Sequence, residues 1–163
     1  MSLVRIPLNY FELKKKIYKI IAFFILLIVC IFFFYCNNIS RVDARTQAFY
    51  SSLKKALLQK GFSDRLLVIS TKRAAWHNAV QVKFSGAAKD SQHLTGDAID
   101  FLVFDINRDG TANSKDVDIA FDILDKEIIK DKGGIGTYKN EDGFINRQMI
   151  HIDCRSYKAR WAR

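Results

Sequence analysis

The stretch "SQHLTGDAIDFLVF" (Ser91–Phe104) decides how this chain folds. Its second half, "AIDFLVF" (Ala98–Phe104), is apolar on both faces, the pattern of a central strand. Within it stands Asp100. A carboxylate in a buried strand is costly unless a cation or strong hydrogen bonds compensate it. The first half is a polar loop with His93, one of three histidines in the chain. Asp97 differs from Asp100, because it lies in that loop and water can solvate it. A loop histidine followed seven residues later by a buried aspartate is either half of a metal site or an ordinary loop leading into a strand.

Working outward, "SRVD" (Ser40–Asp43) reads as a helix start, with an acid three positions after the serine. The helix runs to about Lys60, and Gly61 stops it. Val42, Phe49, Ala56 and Leu57 form its loose apolar face. "RLLVIS" (Arg65–Ser70) has strand character, and a short helix is expected over Ala74–Lys83. Downstream, Val117, Ala120, Leu124 and Ile128 recur at helical spacing until Gly133 and Gly134. "IGTY" (Ile135–Tyr138) and "MIHID" (Met149–Asp153) are short strands. In the latter, alternation puts Ile150 and Ile152 on one face and His151 and Asp153 on the other. Helices and strands mix without regular βαβ alternation, so the class is α+β.

The chain has 163 residues, enough for one domain beside its N-terminal segment. "IIAFFILLIVCIFFFYC" (Ile20–Cys36) runs seventeen residues without a charge, near the lower limit for a membrane-spanning helix. Arg5, Lys14, Lys15, Lys16 and Lys19 precede it. The positive-inside rule then puts residues 1–36 in the cytoplasm and the inner membrane as a single-pass anchor, with residues 37–163 outside. A cleaved signal peptide is the alternative, but "FFFYCNN" offers no small residues for cleavage, and Tyr35 argues against lipid on Cys36. Net charge is +9, of which the part after Cys36 carries +5. No dense Lys/Arg stripe with interleaved aromatics appears there, which excludes nucleic acid as a partner. Cys30, Cys36 and Cys154 form no disulfide framework, and Cys154 is expected as a small buried residue. No feature of the sequence sets an oligomeric state.

Zinc is bound by histidine nitrogen and carboxylate oxygen, and a catalytic site leaves one position for water. The ordinary alternative for each histidine alone is a hydrogen-bonded structural residue. "SQHLTGDAID" resembles the S-x-H-x-x-G-x-A-x-D signature of the M15-type zinc D,D-peptidases, the murein carboxypeptidases and endopeptidases that share the hedgehog fold. Ser91, His93, Gly96, Ala98 and Asp100 fill its fixed positions. "STKRAAWHN" keeps Ser70, Arg73, His77 and Asn78 in register with the family's upstream segment. "MIHIDCRSYKARW" is similar to its H-V-D-x-G-x-x-R-x-W ending. The resemblance spans roughly Ile69 to Trp161. It implies a small antiparallel sheet with flanking helices and zinc ligands at His93, Asp100 and His151. It implies Arg73 as a cation for a substrate carboxylate or the scissile carbonyl, with Ser91 beside the substrate. Many relatives place a Glu or Asp base three residues before the last zinc histidine, where this chain has Gln148. Asp153 is the expected substitute, either as the base or as an orienter of a ligand histidine; Glu141 and Asp142 are the other acids near.

"DINRDGTANSKD" (Asp105–Asp116) matches the calcium loop D-x-N-x-D-G-x5-[ED]. The expected ligands are Asp105, Asn107, Asp109, the Thr111 carbonyl and Asp116, with Gly110 at the sharp turn. The loop and the following helix resemble a dockerin half-repeat. The alternative is a polar turn whose residues simply suit it. Together these expectations describe a membrane-anchored zinc peptidase acting on peptidoglycan stem peptides or cross-links, with calcium as a structural ion. The rivals are a non-catalytic zinc- and calcium-stabilised binding module and a calcium-dependent interaction domain.

Overall fold

The computed structural model describes residues 8–36, 42–140 and 147–163. The chain divides into two units, Met1–Cys36 and Asn37–Arg163. The first is the helix α1, Leu8–Cys36. Its large apolar side chains from Ile20 to Phe32 are exposed. The expected span Ile20–Cys36 runs into residues 33–36, whose side chains lie outside the described ones. Among the described residues no helix is long and apolar enough to cross a membrane.

The second unit is α+β. In chain order it contains α2 (Ala44–Gln59), β1 (Leu66–Ser70), α3 (Ala75–Ser85), β2 (Ala98–Val103), α4 (Ser114–Ile123), β3 (Gly134–Asn140), β4 (Arg147–Asp153) and β5 (Ala159–Ala162). The cap of α2 is Asp43, whose carboxylate accepts from Arg45 N at 2.8 Å. Ser40, expected in that role, lies outside the described residues. Past Lys60, Gly61 takes φ 81° and closes the helix.

The five strands lie in the order β1-β2-β4-β3-β5. All pairs are antiparallel except β3 with β5, which is parallel. The sheet is therefore mixed, which corrects the expected antiparallel sheet. β5 was not legible as a strand, because "ARWA" is short and carries no apolar alternation.

One face of the sheet is the core. Ile99, Ile152 and Ile135 stand in one row across β2, β4 and β3. Phe101, Ile150 and Thr137 form the next. They pack with Leu53 and Leu57 of α2 and with Val117, Ala120 and Ile123 of α4. Tyr50 meets Phe101 edge-on at 5.2 Å. Beyond Ile123 the helix continues as a π-helical turn, Leu124–Ile129. Spacing of five brings Ile129 under Leu124 and buries it, whereas Ile128, expected from α-helical spacing, is only half-buried. The other face of the sheet carries Asp100 and His151.

Candidate metal centre

Asp100 and His151 are direct neighbours across β2 and β4. Strand alternation turns both away from the core that their neighbours Ile99 and Ile152 fill. His93 arrives from the loop between α3 and β2. Arg73 N donates to His93 O at 2.8 Å, and His93 Nδ1 lies 2.6 Å from Thr71 O. Gly96, at φ 91°, takes the left-handed turn that starts the chain into β2. A carbonyl only accepts, so His93 Nδ1 carries the proton and Nε2 keeps its lone pair.

That lone pair faces the other two residues. His93 Nε2 lies 3.1 Å from Asp100 Oδ1 and 3.2 Å from His151 Nδ1. His151 Nδ1 lies 2.7 Å from Asp100 Oδ1. Tetrahedral zinc, about 2.0–2.1 Å from each donor, spaces its ligands about 3.3 Å apart. The triangle fits that spacing, drawn in along one edge by the His151–Asp100 hydrogen bond. All three residues are buried, none more than 8% exposed. The donor set therefore suits a single zinc-sized ion.

The charges follow from the contacts. Burial would raise the Asp100 pKa, but the two histidines beside it outweigh that and hold it well below the carboxylate range. Burial lowers His93, and Asp100 offsets this only in part. Burial also pulls on His151, yet its bonds to Asp100 and Asp153 outweigh that and raise it. The buried aspartate thus holds positive charge at this point of the fold.

The outer partners fix the ligands. His151 Nε2 lies 3.1 Å from Asp153 Oδ2, so the ring donates there and turns Nδ1 to the cluster. Asp153 is fully buried, and its oxygens also accept from Gly134 N, Arg155 N, Arg155 Nε and Arg155 Nη2 at 3.0, 3.1, 2.8 and 2.6 Å. It stands on the far side of the His151 ring from Nδ1. Of the two expected roles of Asp153, base or orienter, these contacts are the ones an orienter of His151 makes. Arg73 supports a candidate ligand as well. Its Nη2 donates to Asp100 Oδ2 at 2.7 Å and its Nε to Ser70 Oγ at 3.0 Å. Its side chain is 9% exposed and holds the second oxygen of Asp100. Ser91 Oγ accepts from His93 N at 3.4 Å and helps shape the loop.

Gln148 is buried on the core face of β4 with Ile150 and Ile152, opposite to His151. Glu141 and Asp142 lie outside the described residues. His77 is buried on α3, its pKa lowered by burial and then by Arg73 and His93. Asn78 Nδ2 donates to Ala88 O and Lys89 O at 3.1 Å each, tying α3 to the loop of His93.

Several supporting residues went unread in the sequence. Strand pairing places Ser70, Asp100, His151, Gly136 and Trp161 in one row across all five strands. The Trp161 ring lies 5.2 Å from that of His151. It covers Gly136, where a Cβ would come 2.6 Å from Trp161 Cζ2. Gly134 leaves room in the same way for the Asp153 carboxylate. The signal was present in "GGIGTY": glycines two apart on a strand mark one face that something approaches closely.

In the loop Asp105–Asp116, Asp105 accepts from Asp109 N and Gly110 N, at 3.0 and 3.1 Å. Asn107 Oδ1 accepts from Asp109 N at 2.8 Å, and Asp109 Oδ1 from Thr111 N and Oγ1 at 3.0 and 2.8 Å. Asp116 is fully buried and accepts from Ile106 N, Asn107 N and Asn113 N, the last as part of the capping box of α4. These bonds curl the loop around Gly110 at φ 94°. Asp116 works as the pin of the loop.

Among the described residues a second group, Asp43, Asp97 and Cys154, has ligating atoms close enough for one ion. Asp43 there is occupied as the cap of α2, and burial raises the Cys154 thiol. Compared with protein-family models, with curated proteins and with solved structures, the chain matches none of them.

Proposed function

We propose that this protein is a membrane-anchored zinc peptidase that hydrolyses peptide bonds of peptidoglycan, its domain outside the cytoplasmic membrane. The observation that carries this is the convergence of His93 Nε2, Asp100 Oδ1 and His151 Nδ1 from a loop and two strands, each oriented by its own partner. Zinc held by these three residues supplies Lewis acidity toward a carbonyl and acidifies water at neutral pH.

The chain's own residues set that site up. Thr71 and Asp153 fix the two histidine tautomers. Arg73 holds the second oxygen of Asp100, so only Oδ1 is left to bind. Trp161 covers His151 and limits water on that side. Calcium in the loop Asp105–Asp116 has a structural part in this proposal, tying β2 to α4. A proton acceptor for the attacking water is not supplied by Asp153, and Glu141 and Asp142 are the acids to test for it.

The second reading, a zinc-stabilised binding module without turnover, is favoured by the burial of all three ligands and by Gln148 facing the core. One experiment separates the two. Zinc-loaded full-length protein is incubated with purified murein and the products are weighed by mass spectrometry. Released stem-peptide fragments that disappear with a chelator support the peptidase; intact murein bound by zinc-loaded protein supports the module.

A further inference from the structure

Helix α3 is built inside out. Its buried side carries His77 and Asn78, 5% and 3% exposed. Trp76, Val80 and Phe84, spaced by four, are 44%, 43% and 78% exposed. Such spacing keeps them on one stripe, and the exposed Ala75 and Ala79 extend it. Three large apolar side chains turned outward along one helix mark a surface that meets something other than water.

The charge around the stripe has one sign. From Thr71 to Lys89 there is no acidic residue, while Lys72, Lys83 and Lys89 are basic; Arg73 is turned inward onto Asp100. Lys83 Nζ lies 5.5 Å over the Phe84 ring. Aromatic, aliphatic and basic residues on one outward helix face are the composition that lies in the headgroup layer of an anionic bilayer. A second copy of this chain fits less well, because it would bring the same positive charge to the same patch.

The tether points the same way. Asp43 N donates to Gly96 O at 2.9 Å, and Arg73 N, two residues before α3, donates to His93 O at 2.8 Å. The start of the domain and the start of α3 thus border one loop. In the sequence seven residues, 37–43, separate that point from Cys36. We infer that the Trp76–Val80–Phe84 face of α3 seats on the bilayer in which the N-terminal segment is anchored. The inference rests on the anchor of the proposed function. Seating α3 would hold the loop of His93 near the headgroups, so that wall peptides closest to the membrane meet the site first.

The test uses the full-length chain in vesicles of phosphatidylglycerol and brominated phosphatidylcholine. Trp161→Phe leaves Trp76 as the only tryptophan. Its emission should shift to the blue and lose most of its intensity against unbrominated vesicles, and Phe84→Asp should restore it. If Trp161→Phe does not fold, quenching in the unsubstituted chain that is lost in Trp76→Phe serves the same purpose. Unquenched Trp76 in a chain that resists carbonate extraction overturns this inference alone, as does quenching unaffected by Phe84→Asp. Release of the chain by carbonate overturns the anchor, and the inference with it.

Discussion

Replacing Asp153 with Asn tests the outer support of the metal centre most directly. Asp153 accepts five hydrogen bonds, from Gly134 N, from Arg155 N, Nε and Nη2, and from His151 Nε2. Asn has the same shape but one acceptor oxygen. Its amide then faces Arg155 in either orientation, and in one of them His151 Nε2 as well. Facing Arg155, it sets donor against donor on a half-buried guanidinium. Facing His151, it donates to Nε2 and drives the ring proton to Nδ1, the atom that has to bind. Both outcomes weaken the site, and removal of such an outer partner typically lowers metal affinity about 10–100-fold. That corresponds to about 1.4–2.7 kcal/mol. Competition against a chromophoric chelator at neutral pH measures it, with circular dichroism as the check on folding. Zinc affinity unchanged within about threefold, together with turnover reduced by about 10²–10⁴, would refute the orienting role and make Asp153 the base.

Other outcomes follow from the same geometry. Gly136→Ala should destabilise the domain by about 1–3 kcal/mol, because the new methyl meets the Trp161 ring; an unchanged denaturant midpoint would mean that the ring does not cover Gly136. In zinc-free protein the raised His151 stabilises the fold fully below the unfolded histidine value of 6.5, and this is lost as pH rises through its folded value. His93 is shifted the opposite way and opposes it only below 6.5. Thermal melts in chelator should therefore fall as pH climbs from 6.5, and His151→Asn should flatten that slope. Millimolar calcium should raise the melting temperature by binding the folded state, and Asp105→Ala with Asp109→Ala should abolish the rise; no response in the unsubstituted protein would leave the loop as a plain turn.

The sequence by itself determined the α+β class, the position of β2, and the three residues that could share an ion. Those are local matters: "AIDFLVF" is too apolar to lie anywhere but inside, and a buried Asp100 requires a cation or strong hydrogen bonds. It determined the alternation of β4 as well, which set His151 and Asp153 on one face. Which neighbours Asp153 and Arg73 meet was decided only by the tertiary structure. A carboxylate or a guanidinium has the same chemistry whether it faces substrate or a neighbouring ligand, and only strand register chooses. The pairing of β2 with β4 put Asp100 opposite His151, the parallel addition of β5 laid Trp161 over Gly136, and Arg155 closed on Asp153. Apart from Arg155 with Asp153, two positions apart, these contacts join residues distant in the chain, so no periodicity or spacing within one segment carries them.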